Sequence, residues 1–208
     1  MYLSFNKKTI TDFSDENINT LYNKGYVFVR TGYGDMDQTR SVRINLDKFE
    51  MSSENKRILR KTEDMKLDVF IDLPYSDYHW SIGKLAKDFY ETKFDIKFSA
   101  HKIKELLTDK SNFNKFLTYG PGYSICKETN KMVHYSYPFY DLEADKNTGM
   151  GMMVRAVEYA KEQGKKYIYL GSAQRPGDTY KFQFSGMEWF DGEGWSEDFE
   201  KLKIKLKA

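Results

Sequence analysis

One stretch of the chain, KNTGMGM, has the composition of an anion-binding loop. It carries two glycines directly before a helix with an apolar stripe, and that helix runs into a short strand. Backbone N–H groups at a helix start, where the helix dipole is positive, favour a phosphate or a developing oxyanion. The same glycines also suit a tight turn that packs helix on strand, because glycine allows close approach and left-handed conformations. The candidate anion-binding residues are Lys146, Asn147, Thr148, Gly149, Met150, Gly151 and Met152.

A side chain at Gly151 is expected to block such an anion while leaving the fold largely intact, since the apolar stripe of the helix is untouched.

A second group of candidate residues is basic. In SSENKRILRK, four cations fall at i, i+1, i+4 and i+5 and so share one helical face. This face suits contact with phosphates, and an ordinary solvated face has the same pattern. Its members are Lys56, Arg57, Arg60 and Lys61.

Composition limits the classes of function. The 208 residues include 40% hydrophobic and 31% charged residues with a net charge of +2, so the chain is globular and lacks a general basic field. No apolar run is long enough for a membrane span, and MYLSFNKKTITDF lacks the order of a signal peptide, which predicts a cytoplasmic protein. With one cysteine and three widely spaced histidines, we expect no metal site.

Helices and strands alternate around these groups. A helix capped at Ser14 and stopped at Gly25 precedes the strands YVFVRTG and SVRINL, then the basic helix and the strand KLDVFIDL. After a helix within SDYHWSIGKLAKDFYETK, the stretch FSAHKIKELLTDKSNFNKFL predicts two short helices capped at Ser99 and Ser111. YGPGYSICKE, KMVHYSYPFYDLE and KYIYLGS predict strands of one mixed sheet, with the Met150 helix on one face. The final KLKIKLK, with its period of two, predicts an edge strand.

Two family resemblances follow from these motifs. NTGMGM resembles the acyl-carrier loop of the GNAT acyltransferase superfamily, with Lys146 where that pattern has Arg or Gln. Further segments, from about residue 20 to 195, resemble the arginyl-tRNA-protein transferase family and its bacterial leucyl relative, which carry a GNAT-like domain. The matching residues are Asp47, Phe49, Ser52, Ser53 and Arg57, then Tyr140 and Asp141, then Tyr169, Leu170 and Gly171, then Tyr180 and Lys181. That family's N-terminal cysteine cluster is missing, because TGYGDMDQTRS occupies the equivalent stretch.

The resemblance implies a fold and a division of the chain. The expected fold is α/β, a GNAT-like mixed β-sheet flanked by helices, with a small N-terminal α/β subdomain. Residues 1–75 correspond to the N-terminal region of the transferase-like fold, and residues 76–208 to the GNAT-like catalytic domain.

The implied reaction is aminoacyl transfer, in which an amine attacks the ester that joins an amino acid to the tRNA 3′ end. Such a reaction needs a proton acceptor, a proton donor and oxyanion stabilisation. Asp141 is the candidate for binding the donor's ammonium or accepting the nucleophile's proton, with Glu143 second. Tyr180 is the candidate proton donor and Lys181 a phosphate or oxyanion contact.

The remaining titratable side chains fit other roles. His101 and His134 are expected to face solvent rather than to be catalytic. Cys126 is not expected to be a nucleophile, since no histidine is near it in the sequence.

The sequence thus predicts an acyltransferase that moves an amino acid from aminoacyl-tRNA to the N-terminal amine of a protein or peptide. It needs no cofactor beyond aminoacyl-tRNA as co-substrate. One alternative is an acetyl-CoA-dependent N-acyltransferase of the same fold. Another is a non-catalytic module that binds tRNA or peptide.

Overall fold

The computed structural model describes residues 2–207, apart from the side chains of residues 68 and 69. The chain forms two compact units. The first comprises the residues up to Ser52, Thr129–His134 and the residues from Ala160 onward; the second comprises Ser53–Glu128 and Tyr135–Tyr159. The predicted consecutive regions, 1–75 and 76–208, do not coincide with these units, because each unit takes more than one segment of the chain.

The described residues contain strands, α-helices and a 3₁₀ helix in mixed order. The strands are β1 (Asn6–Thr9), β2 (Tyr26–Phe28), β3 (Asp35–Gln38), β4 (Ser41–Asn45), β5 (Leu67–Asp72), β6 (Lys115–Tyr119), β7 (Gly122–Glu128), β8 (Met132–Tyr140), β9 (Tyr167–Ser172), β10 (Met187–Phe190) and β11 (Trp195–Ser196). The α-helices are α1 (Asp15–Asn23), α2 (Ser53–Lys61), α3 (Trp80–Phe94), α4 (Ala100–Thr108), α5 (Thr148–Glu162) and α6 (Phe199–Lys207). The 3₁₀ helix spans Pro176–Gln183.

The first unit holds a small sheet and part of a larger one. The small sheet, in the order β1-β3-β2, is antiparallel and belongs with α1 to the small N-terminal α/β part that the sequence predicts. In the larger sheet, β11, β10, β4 and β9 are antiparallel neighbours, and β9 pairs in parallel with the start of β8. The sheet is therefore mixed, and the predicted mixed α/β class is confirmed.

Arg43 lies in the interior of the first unit and is 6% exposed. Its Nε and Nη2 atoms both lie 2.7 Å from Glu188 Oε2, and its Nη1 donates to Asn23 Oδ1 at 3.0 Å. The guanidinium carbon is 3.9 Å from the ring centroid of Tyr167 and 3.7 Å from that of Trp195. A cation removed from water in this way is stabilised only because all of these partners are in place.

The second unit contains the rest of β8 followed by β7, β6 and β5 as successive neighbours. Helix α5 packs on these strands, as predicted. The Tyr159 ring stacks on Phe70 of β5 at 4.1 Å, and its hydroxyl donates to Glu128 of β7 at 3.0 Å. A Cβ atom at Gly122, the first residue of β7, would lie 3.0 Å from Met152 Sδ, so α5 approaches this strand closely.

Two predicted elements are wrong. The second of the helices expected after Ser99 does not form; Ser111 donates instead to Leu106 O at the end of α4, and β6 follows, hydrogen-bonded between β5 and β7. Strand pairing on both sides overrides the local pattern there. The expected C-terminal strand is helix α6, in which Leu202 and Leu206 are buried and Ile204 is 70% exposed. Alternate apolar residues also satisfy the i, i+4 spacing of a helix.

Within residues 2–207, no helix combines the length and apolar character that crossing a membrane requires.

Candidate active site

The glycine-bearing stretch forms the start of α5. Asp145 organises it: its Oδ1 accepts from Asn147 N at 2.7 Å, and its carbonyl accepts from Thr148 N at 2.8 Å. Both Gly149 and Gly151 lie in the first turn of the helix, and neither has a positive φ. A left-handed conformation, one of the two reasons for glycine at these positions, is therefore not the explanation. Glycine is required at these two positions for another reason.

Close approach explains both glycines. A Cβ atom at Gly149 would lie 2.8 Å from Tyr140 Oη, so the glycine makes room for the tyrosine at the end of β8. A Cβ atom at Gly151 would lie 2.7 Å from Thr62 Oγ1 and 2.5 Å from Met65 Cε. Gly151 therefore lets α5 pack against the residues that follow α2. The expectation that a side chain at Gly151 leaves the fold intact is contradicted by these contacts.

Only part of the predicted donor loop faces outward. Lys146 is exposed, whereas Thr148 and Met152 are buried. The N–H of Gly151 donates to Asn147 O at 2.8 Å, so it is used inside the helix. In the described part of the chain the N–H of Gly149 has no acceptor, as is usual for the first amides of a helix. The role of these residues in donor binding stays a prediction.

A lysine–tyrosine pair that the sequence did not indicate lies beside this helix start. Lys93, in the last turn of α3, donates a short hydrogen bond from Nζ to Tyr140 Oη. Its ammonium nitrogen lies 4.6 Å from the centroid of the Tyr140 ring, which contacts Phe89 at a centroid distance of 4.7 Å. Tyr140 is 8% exposed. The phenol is thus held in one position next to Gly149.

Asp141 follows Tyr140 directly and is exposed to solvent. A turn fixes its position: its N–H donates to Pro121 O at 2.9 Å, its Oδ1 accepts from Glu143 N at 3.0 Å, and its carbonyl accepts from Ala144 N at 3.1 Å. The side chain of Glu143 is exposed in the same turn. A carboxylate is therefore presented to solvent at the end of the strand that leads into the glycine-bearing helix.

The four predicted phosphate-binding cations all lie on the exposed face of α2, as the spacing predicts, whereas Asn55 and Ile58 of the same helix are buried. Arg57 is partly neutralised, because Glu54 accepts from its Nε and Nη2, each at 2.7 Å. The hydrogen bond and charge of Glu54 raise the pKa of Arg57. Lys56, Arg60 and Lys61 are the remaining cations of this face.

The basic helix ends next to the loop that precedes α5. Arg155 of α5 donates from Nη1 to Thr62 Oγ1 at 2.9 Å and thereby joins the two helices. Hydrogen bonds from Asn147 lower the pKa of Asp145, and the nearby charges of Lys146 and Lys61 lower it further. The structure thus brings together, in the second unit, the basic face, the glycine-bearing helix start and Asp141.

Tyr180 and Lys181 belong to the first unit, in the 3₁₀ helix. Tyr180 is 42% exposed. Lys181 is buried and donates from Nζ to Ser172 O at 2.9 Å. Burial lowers the pKa of this ammonium group, and the charge of Asp178 opposes that effect. Their predicted catalytic roles stay predictions.

The other titratable candidates are not placed for catalysis. His134 was expected at the surface but is 2% exposed, with its Nδ1 2.8 Å from Tyr22 Oη. Burial lowers the pKa of His134 to about 3. Burial also raises the pKa of the Cys126 thiol to about 12, which opposes a nucleophilic role. His101 is exposed on α4. Among residues 2–207 no group of three His, Cys, Asp or Glu side chains is arranged to hold a metal ion.

The chain is distantly similar to a curated transferase sequence, and no family model matches it. An aspartate/glutamate leucyltransferase from Saccharophagus degradans is 20% identical over 171 residues, which cover 74% of this chain and 69% of that protein.

Three solved structures align with parts of the chain at low identity. The C-terminal DUF2156 domain of an Agrobacterium fabrum protein has a TM-score of 0.49 and 12% identity, over 69% of this chain and 49% of that one. L-PGS from Bacillus licheniformis has a TM-score of 0.49 and 14% identity, over 93% of this chain and 62% of that one. A GCN5-related glucosamine N-acetyltransferase region of a fungal multi-domain enzyme has a TM-score of 0.47 and 12% identity, over 88% of this chain and 23% of that one. The chain therefore spans less than two thirds of each of these solved proteins.

Proposed function

We propose that this protein transfers an amino acid from aminoacyl-tRNA to the N-terminal amine of a protein or peptide. The observation that carries the proposal is the arrangement in the second unit: a basic helix face ends beside a glycine-bearing helix start, and an exposed carboxylate, Asp141, precedes that start. Sequence similarity to a leucyltransferase over most of the chain supports the same reaction.

The basic face supplies the contact with the donor. Lys56, Arg60 and Lys61 are exposed and project from one side of α2, and Lys61 lies near Asp145 in the loop before α5. Phosphates of a tRNA acceptor end would bind such cations with loss of condensed counterions. The helix start, with the N–H of Gly149 at its positive end, suits the last phosphate or the ester oxygen.

Asp141 supplies the base of the reaction. The aminoacyl ester is already activated, so catalysis consists of positioning the amine, removing its proton and stabilising the charge that develops on oxygen. The turn that holds Asp141 leaves one carboxylate oxygen, Oδ2, without a hydrogen bond from the described residues. This oxygen is the acceptor we assign to the ammonium proton of the incoming amine.

The name of the similar protein sets the first substrates to test. Purified protein is incubated with tRNA charged with radiolabelled leucine, and with peptides that begin with Asp, Glu or Ala. In parallel, the same peptides are offered labelled acetyl-CoA. Label on a peptide from charged tRNA supports the proposal, and label on the Asp and Glu peptides alone identifies the acceptor class.

The parallel reactions also separate the alternatives. Transfer from acetyl-CoA without transfer from charged tRNA would replace the proposal by the N-acyltransferase function. Tight tRNA binding without any transfer, tested with a full set of charged amino acids, would identify a binding module.

A further inference from the structure

The phenol of Tyr140 carries a proton with no acceptor in the described chain. Its oxygen accepts a hydrogen bond from Lys93 Nζ, and a lysine ammonium group has donors only. Among residues 2–207 no other group forms a hydrogen bond with this oxygen, although the tyrosine is only 8% exposed. Since the described residues supply no acceptor, the phenol proton is available for donation to a bound group.

The phenol oxygen packs closely against the backbone of Gly149, in the space that a side chain at this position would fill. Any larger residue would place a Cβ atom 2.8 Å from Tyr140 Oη and 3.0 Å from its Cε1. The same phenol oxygen lies next to the positive end of α5 and to the charge of Lys93. An oxygen atom that gains negative charge is stabilised at such a point.

We propose that Tyr140 is the catalytic acid of the transfer reaction and that Lys93 supplies its proton. This inference rests on the proposed function and gives to Tyr140 the role that the sequence predicts for Tyr180. The two residues come from different elements, α3 and β8, and lie 47 positions apart in the chain.

Bonds and protons are conserved in the proposed step. The incoming ammonium group first loses one proton to Asp141, which passes it to solvent. The amine nitrogen then forms a bond to the ester carbonyl carbon and gives a second proton to Asp141. The bond between that carbon and the ribose oxygen then breaks, and the oxygen takes the proton of the Tyr140 phenol. Lys93 returns a proton to the phenolate, and solvent restores both Lys93 and Asp141. The products are an amide and a free ribose hydroxyl group.

Substitution of Tyr140→Phe tests the phenol, and Lys93→Met tests the proton supply. Each variant is compared with the wild type in single-turnover transfer, in donor binding and in thermal unfolding. Tyr140→Phe is expected to bind donor normally and to lower the chemical step by about 10² to 10⁴, as is usual for loss of a general acid. Lys93→Met is expected to lower the same step by a smaller factor.

Two matched controls come from the same unit. Tyr119 of β6 is a buried tyrosine whose hydroxyl has no hydrogen-bond partner among the described residues, so Tyr119→Phe removes the same atom without the proposed role. Lys87 is a partly exposed lysine of α3 that pairs with Glu91, so Lys87→Met removes a charge from the same helix. Both control variants are expected to transfer at the wild-type rate.

A change of leaving group distinguishes an acid from a packing residue. The donor is prepared with a terminal ribose that carries fluorine next to the esterified hydroxyl, which makes that oxygen a better leaving group. The deficit of Tyr140→Phe should then shrink, on the order of tenfold, because less proton donation is needed. A deficit of equal size with both donors, or wild-type rates in Tyr140→Phe and Lys93→Met, would overturn the inference.

The proposed function fails in a different way. If wild-type protein transfers from no charged tRNA, the aminoacyl reaction is wrong and this role for Tyr140 falls with it. If the wild type transfers and the Tyr140→Phe and Lys93→Met variants transfer at the same rate, the reaction stands and the acid lies elsewhere. Should Tyr140→Phe lose stability, the comparison of Lys93→Met with Lys87→Met decides the question.

Discussion

Gly151→Ala should destabilise the protein even though alanine favours a helix. The added Cβ would lie 2.7 Å from Thr62 Oγ1, 3.0 Å from Thr62 Cγ2 and 2.5 Å from Met65 Cε. The terminal methyl of Met65 can move aside. Thr62 cannot move freely, because its Oγ1 donates to Ile58 O at 2.9 Å and accepts from Arg155 Nη1 at 2.9 Å.

Three contributions set the size of the effect. Overpacking costs about 1–3 kcal/mol, and loss of a hydrogen bond from the charged guanidinium of Arg155 costs about 1.5–3 kcal/mol. Replacing glycine by alanine inside a helix returns about 1 kcal/mol. The free energy of unfolding should therefore fall by roughly 2–5 kcal/mol in urea titrations at constant pH.

The control and the partner variant sharpen this measurement. Gly120 has open space around its α-carbon and no positive φ, so Gly120→Ala should have almost no effect. In a Thr62→Ala background, Gly151→Ala should cost less, with a coupling energy of about 0.5–3 kcal/mol. Wild-type stability of Gly151→Ala, or costs that simply add in the double variant, would refute the packing explanation.

Three further predictions concern binding, chemistry and pH. Reversing Lys56 and Arg60 to glutamate should weaken tRNA binding and flatten its dependence on salt, whereas Lys104→Glu on α4 should not; equal affinity of all variants would remove the basic face from the site. Asp141→Asn should leave donor binding nearly unchanged and lower single-turnover transfer by about 10² to 10⁴, and an unaffected rate would exclude Asp141 as the base. His134 is buried with a pKa of about 3 against an unfolded value of 6.5, so the unfolded state binds more protons between these values. Stability should thus fall by about 2 kcal/mol from pH 7 to pH 5, and His134→Gln should lose most of that dependence in denaturant titrations; an equal pH dependence in both proteins would contradict the assignment.

Local signals in the sequence located most of the helices. Ser14 and Ser99 cap α1 and α4 through side-chain acceptors, as their positions predict, and Gly164 ends the glycine-bearing helix with a φ of 65°. These signals succeed because a cap or a left-handed residue acts within a few positions of the chain.

Elements that depend on distant partners were not predictable in this way. β6 follows a helix-like pattern and becomes a strand because β5 and β7 pair with it on both sides. For α6, the overlooked signal is Asp198, whose Oδ1 accepts from Lys201 N at 2.9 Å and so caps a helix rather than a strand. β1 is exposed along its length and has no apolar alternation to reveal it.

The same distinction between local and distant contacts applies to the candidate site. The spacing of the cations on α2 predicted the exposed face correctly, because the faces of a single helix follow from its own sequence. The lysine–tyrosine pair could not be found from spacing, since Lys93 and Tyr140 meet only through the packing of α3 on β8. Gly151 shows the converse error: its absent side chain suggested a ligand, while the neighbour that excludes a side chain is Thr62, from another segment.

The buried Arg43 has a consequence for how the first unit is made during synthesis. Its partners extend along the chain from Asn23 to Trp195, so the guanidinium remains hydrated until these distant segments are present together. To fold before Trp195 is available, a nascent chain would have to bury this cation without all of its neighbours, at a cost of several kcal/mol. The first unit therefore completes its folding only when the residues through Trp195 have left the ribosome, and its contacts of long sequence separation make that last step slow compared with helix formation.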